Sequence, residues 1–127
     1  MNNALQVIES VYEDFKTGNI PGILEKISPE ASWYQSSTLP WGGELKGPDG
    51  AGQFFQRMNE TMETLGFEIN ENIERGDEVF SFGKYTARGR KSGKVGTSEF
   101  MFRWKVDGGK IVSYYSYVDS GAMLAAM

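Results

Sequence analysis

Apolar and polar residues alternate most regularly from Ser98 to Val106, where Phe100, Phe102, Trp104 and Val106 hold even positions and the odd positions are polar except Met101. A period of two predicts a half-buried strand whose even face is core or pocket. Asp107-Gly108-Gly109 supplies hairpin chemistry, and Lys110 to Val118 returns as a second β-branched and aromatic strand. A two-residue loop at Asp107-Gly108 would put Tyr117 and Asp119 on the apolar face. A three-residue loop would put Tyr114 and Ser116 there.

Earlier in the chain the period is helical. Ala4, Ile8, Val11 and Phe15, widened by Leu5 and Tyr12, make an apolar stripe that ends at Gly18, with Asn2 or Asn3 as its cap. Asn19 caps a second short helix with Pro21 in its first turn and Ile20, Ile23, Leu24 and Ile27 inward, and Ser28-Pro29 stops it. Ala31 to Gln35 reads as a short aromatic strand and Ser36 to Gly47 as a loop. Pro48-Asp49 opens a third helix, capped by Asp49, with Ala51, Phe54, Phe55, Met58, Met62 and Leu65 on its apolar face. Alternation resumes at Phe67, Gly76-Asp77 turns the chain, Glu78 to Arg90 is a long strand, and Lys91 to Lys94 turns again. Ser120 to Met127 closes as a short helix. The result is α+β: helices, then an antiparallel meander.

The length of 127 residues fits one domain, 1–127, with one core. Neither cysteine nor histidine occurs, so thiolate nucleophiles, imidazole bases and the usual zinc ligands are excluded. Glu68, Glu71 and Glu74 are badly spaced for a shared metal, and we expect no metal and no cofactor. A net charge of −4 with interspersed signs gives no footprint for nucleic acid or an anionic membrane. Neither a leader peptide nor a spanning run is visible, and we expect a soluble cytoplasmic protein. Arg88, Arg90, Lys91 and Lys94 gather at one hairpin end as a solvated edge.

Tyr12-Glu13-Asp14-Phe15 with Gly18-Asn19, Ala31-Ser32-Trp33, Gly47-Pro48-Asp49-Gly50 with Phe54-Phe55, and Gly109-Lys110-Ile111-Val112 running to Asp119-Ser120 give the chain a resemblance to the nuclear transport factor two-like superfamily. The likeness is to its SnoaL-like branch, related to polyketide cyclases and ketosteroid isomerases. It implies three N-terminal helices on a strongly curved, mainly antiparallel sheet, a cone with an internal cavity, a short C-terminal helix, and homodimers through the sheet.

The resemblance also sets places for chemistry. The Asp base of the isomerases falls on Gln35 or Ser36, and their oxyanion-hole Tyr and Asp on Val11 and Met101. The epoxide hydrolases' Tyr falls on Tyr34, their Asn on Ser36 and their water-activating Asp on Ser116. The Asp and His of the cyclases find no complete match, since there is no His. Asp119 is then the remaining acid or base candidate with Tyr34, although an Asp before Ser-Gly-Ala-Met-Leu also reads as a helix cap. Trp33, Gln35, Ser36, Trp41, Phe55, Met58, Phe82, Phe102, Trp104, Tyr114 and Ser116 are the candidate ligand-binding residues, because aromatic walls with few polar anchors suit a small hydrophobic or ring-bearing molecule. Trp41, in a Pro-Trp-Gly-Gly loop, reads either as core or as a lid. The expected function is binding such a molecule, with isomerase, lyase or hydrolase chemistry or with none; the alternative is a non-catalytic dimeric binding or assembly module.

Overall fold

The computed structural model describes residues 3–127. In chain order it contains α1 (Ala4–Lys16), α2 (Ile20–Glu25), β1 (Ile27–Gln35), β2 (Gly43–Lys46), α3 (Gly47–Thr61), β3 (Met62–Arg75), β4 (Glu78–Gly89), β5 (Val95–Asp107), β6 (Lys110–Val118) and α4 (Ser120–Ala126). The strands form one curled sheet in the order β2-β1-β6-β5-β4-β3. Every neighbouring pair is antiparallel except β1 and β6. The expected α+β cone is present, with α1 and α3 against the inner sheet face and α4 against β4 and β5.

Caps fix the helix starts. The Asn3 side chain accepts from Gln6 N at 2.8 Å while Asn3 N donates to Gln6 Oε1 at 3.2 Å, a reciprocal pair that satisfies two orphan donors. Asn2, the alternative cap, lies outside the described residues. Asn19 caps α2 through Gly22 N at 3.2 Å. Asp49 does not cap α3: that place is Lys46, without a side-chain bond, and Asp49 sits exposed in the first turn, where a carboxylate suits the helix dipole. Gly47 has φ +67, and a Cβ there would lie 2.6 Å from Pro29 O, so the entry into α3 requires glycine.

Several boundaries differ from expectation. Ile27 belongs to β1, not α2, because Ile111 N donates to Lys26 O at 2.8 Å and draws this segment onto β6. Pro29 falls where the β1–β6 register is broken, so its missing N–H leaves no gap in a ladder. Gly43–Lys46 is an edge strand on β1 within the expected loop. Met62 and Leu65 leave α3 for β3, where Met62 pairs with Gly89. The register shift between Thr64 and Gly66 makes Leu65 a bulged, exposed residue.

The aromatic hairpin turns at Gly108-Gly109, with φ +60 and +77, as a two-residue loop of the I′ type demands. Neither loop weighed from the sequence is the one formed. Asp107 pairs with Lys110 and Val106 with Ile111, then Lys105 pairs with Ser113, so Val112 is an extra residue on β6. That bulge flips the parity. Beyond it Trp104 faces Tyr114 and Phe102 faces Ser116, and the even face of β6 points inward.

Candidate functional site

The inner face lines a half-open cavity of about 70 Å³. α1 contributes Val11, Tyr12 and Phe15, and α3 contributes Phe54, Phe55 and Met58. The sheet supplies a continuous aromatic wall. Phe100 and Phe102 stack at 4.0 Å between centroids and Phe67 lies 5.5 Å from Phe100, nearly parallel to it. Tyr114 lies between Trp33, at 4.2 Å, and Trp104, at 4.4 Å. Phe100 can lie so close to β4 because the opposing residue is Gly83, where a Cβ would meet its ring at 2.5 Å.

Most polar groups in this wall are engaged. Trp104 Nε1 donates to Tyr12 OH at 2.9 Å, Tyr12 OH donates to Ser81 Oγ, and Ser81 Oγ donates to Asn72 Oδ1 at 2.6 Å. The Tyr12 proton is thus directed away from the cavity and into the sheet. Burial pushes its pKa up to about 12, against the pull of Ser81 and Trp104. Tyr85 OH shares a hydrogen bond with Thr64 Oγ1 at 2.9 Å, and burial again raises its pKa. Tyr114 is pushed up furthest by burial, with the neighbouring Ser116 hydroxyl working against it. All three phenols are neutral near pH 7.

Two buried polar atoms of the wall have no hydrogen-bond partner: Trp33 Nε1 and Ser116 Oγ. Gln35 is also buried and lines the cavity. Trp33 pairs with Tyr114 and Tyr34 with Tyr115 across the parallel β1–β6 ladder, and the next residues along the two strands are Gln35 and Ser116. Trp33, Gln35 and Ser116, which carry an indole N–H, an amide and a hydroxyl, therefore lie on adjacent strands of the lining. The lining holds no carboxylate, lysine or arginine. Among the described residues no group of three acidic side chains is placed to hold a metal ion.

Eight of the candidate ligand-binding residues line the cavity: Trp33, Gln35, Phe55, Met58, Phe102, Trp104, Tyr114 and Ser116. The others stand elsewhere. Phe82 is 38% exposed on the outer sheet face, because β4 turns its odd positions inward. Trp41 is 1% exposed and belongs to the core rather than to a lid. Its loop folds tightly back, with Gly42 N donating to Leu39 O at 2.9 Å. Ser36 lies in that loop, with its hydroxyl 2.8 Å from Thr38 Oγ1. Tyr34 is on the outer face, 5.6 Å from Tyr115. Asp119 is exposed and caps α4, its carboxylate accepting from Ala122 N at 3.1 Å. Met101 faces outward as well, opposite Tyr117.

Tyr12, Phe67, Tyr85 and Phe100 line the cavity without having been singled out for it. Phe100 shares the even face of β5 with Phe102, and that alternation was signal enough. Tyr12 lies on the α1 stripe, but only its partners Ser81 and Trp104 reveal its bonding.

The sequence model of the SnoaL-like domain family matches residues 8–114. No curated protein matches the chain. Among solved structures, an NTF2-like protein from Burkholderia thailandensis is similar at TM-score 0.94 and 24% identity, covering 100% of this chain and 98% of that one. TerC, co-crystallized with polyporic acid, is similar at TM-score 0.85 and 24% identity, covering 97% and 96%. An LEH-like epoxide hydrolase from M. tuberculosis is similar at TM-score 0.75 and 13% identity, covering 97% and 87%. At these identities the likeness establishes a shared fold.

Proposed function

We propose that this chain, which belongs to the SnoaL-like domain family, binds one small, uncharged, mostly apolar molecule carrying a ring inside its cone. The carrying observation is a mainly aromatic and aliphatic wall without a charged side chain, in which Trp33 Nε1 and Ser116 Oγ are buried with no partner at hydrogen-bond distance. Each unmatched buried polar group costs about 1–3 kcal/mol. A ligand with an acceptor near Trp33 and a donor or acceptor near Ser116 removes that cost, and the Gln35 amide can serve the same guest. Aromatic rings on facing sides favour a flat guest. A charged guest has no opposite charge among the lining residues, and burying an unpaired ion costs several kcal/mol. The co-crystallization of TerC with polyporic acid supports small-molecule binding as a use of this fold.

Recognition is favoured over acid–base catalysis. The phenols of the wall are held neutral and two of them are already hydrogen-bonded, so no side chain lining the cavity is poised to exchange a proton near pH 7. We also propose a homodimer across the outer sheet face. There Phe82, Met101 and Tyr117 stand in one row, and Phe80 lies beneath Arg103 at 5.8 Å.

The chamber is tested by calorimetric titration with p-cresol, a neutral phenol. Saturable one-to-one binding with a negative heat-capacity change is expected. An absence of saturable heat, with the fold intact by circular dichroism, overturns the reading.

A further inference from the structure

Two spaces of different chemistry meet near the C-terminal ends of α1 and α3. The inner chamber, at about 70 Å³, is far below the roughly 300–1,000 Å³ of sites that enclose drug-sized ligands. Beside it runs an outer groove of about 350 Å³. Phe15, Phe55 and Met58 line both spaces and so form the partition between them. All three are half-buried, and Phe15 and Phe55 are 6.2 Å apart. Met58 is unbranched and repacks readily. The partition is thus built from three side chains, with no backbone strand or helix turn between the two spaces in their lining.

The groove differs from the chamber in its polar groups, Gln56, Asn59 and Thr64, all of them neutral. Gln56 Nε2 donates to Glu60 Oε1 at 3.1 Å, which leaves the Gln56 carbonyl oxygen as an acceptor. Asn59 Oδ1 accepts from Arg90 Nη2 at 3.2 Å, which leaves the Asn59 NH₂ group as a donor. One acceptor and one donor on the same stretch of α3 match the N–H and C=O of an amide. Thr64 joins the two spaces through its hydrogen bond to Tyr85, which lines the chamber.

We propose that the groove is a second subsite and that the ligand has two parts, a ring in the chamber and a neutral amide-bearing tail over α3, with Phe15, Phe55 and Met58 closing around the link. This rests on the chamber being a ring site. The test compares p-cresol with N-acetyltyramine, which adds a two-carbon link and an acetamide to the same ring. Calorimetry is expected to find N-acetyltyramine at least about tenfold tighter, from the added apolar burial and amide hydrogen bonds. Gln56→Ala and Asn59→Ala, at exposed helix positions, are expected to reduce that advantage about threefold each while p-cresol affinity stays unchanged. Equal affinities for the two probes, or an advantage that both variants leave intact, overturn the groove but not the chamber. Failure of both probes overturns the chamber and the groove with it.

Discussion

Ser116→Ala separates stability from binding. The Ser116 hydroxyl is buried on β6 with no partner at hydrogen-bond distance; the Tyr114 phenol is near enough to feel it but not to satisfy it, so its removal deletes a polar group that the fold desolvates with little return. That relief is about 1–3 kcal/mol. The opposing change is small. A hydroxyl leaves about 10 Å³ of new space, a penalty near 0.2 kcal/mol at the usual cavity rate. A chain of 127 residues gains roughly 3–5 °C in Tm per kcal/mol, so a rise of about 2–14 °C is expected by scanning calorimetry. Binding moves the other way. Loss of one anchor lowers p-cresol affinity about two- to tenfold in the same titration that measures the wild type. A lowered Tm would mean that Ser116 is satisfied in the fold. An unchanged affinity would mean that the guest does not touch it.

Other residues give independent outcomes. Asp119→Ala removes the cap of α4 and is expected to cost about 0.5–2 kcal/mol by denaturant titration, leaving p-cresol affinity untouched because Asp119 lies outside the cavity. The Tyr12 pKa is raised above its unfolded value near 10 to about 12, so the folded state holds this proton more tightly. That contribution is complete below pH 10 and is lost between about pH 10 and 12, at up to about 1.4 kcal/mol per pH unit; denaturation in Tyr12→Phe should show a shallower decline. Phe82→Lys combined with Tyr117→Lys places charge in the outer-face row and is expected to convert the proposed wild-type dimer to monomers in sedimentation velocity with unchanged circular dichroism; a monomeric wild type would overturn the dimer, and persistent dimers in the variant would move its interface elsewhere.

What the sequence made legible was local. Asn3 and Asn19 cap as their side chains suggest, and the turns at Gly76-Asp77 and Lys91 to Lys94 lie where their residues place them. Misreadings arose where distant pairing decided. Met58, Met62 and Leu65 continue a helical spacing, yet Met62 is taken by β4 through Gly89. On the first half of β4 the residue sizes mislead, because Phe80 and Phe82 face outward while Ser81 and Gly83 face inward. The inward positions Ser81 and Gly83 are small for a reason: one lies under the Tyr12 hydroxyl, the other under the Phe100 ring. Size on a strand reports burial only where nothing from another element already fills the inner face. The even-facing register of β6 is the one the family resemblance favours, but it arises from a bulge at Val112 that no turn signal announces.

The neutrality of the site follows from its burial. In the resemblance to the isomerases and epoxide hydrolases, Gln35 or Ser36 and Ser116 stand at places where those enzymes carry a carboxylate, and here Gln35 and Ser116 are buried beside Trp33 and Tyr114 with no cation lining the cavity. A carboxylate restored at this point would be desolvated and unpaired, so its folded pKa would rise above the usual 3.9 or so. Ser116→Asp therefore makes the chamber report on its own dielectric. With the folded pKa above the unfolded one, the variant's stability relative to wild type is greatest below about pH 4 and falls as pH rises toward the folded pKa, at about 1.4 kcal/mol per unit. Urea titrations of both proteins from pH 4 to 8 measure the difference. A gap that widens with pH identifies a dry chamber suited to neutral guests. A gap constant with pH would mean that water reaches Ser116, and the argument that the site excludes charge would fall.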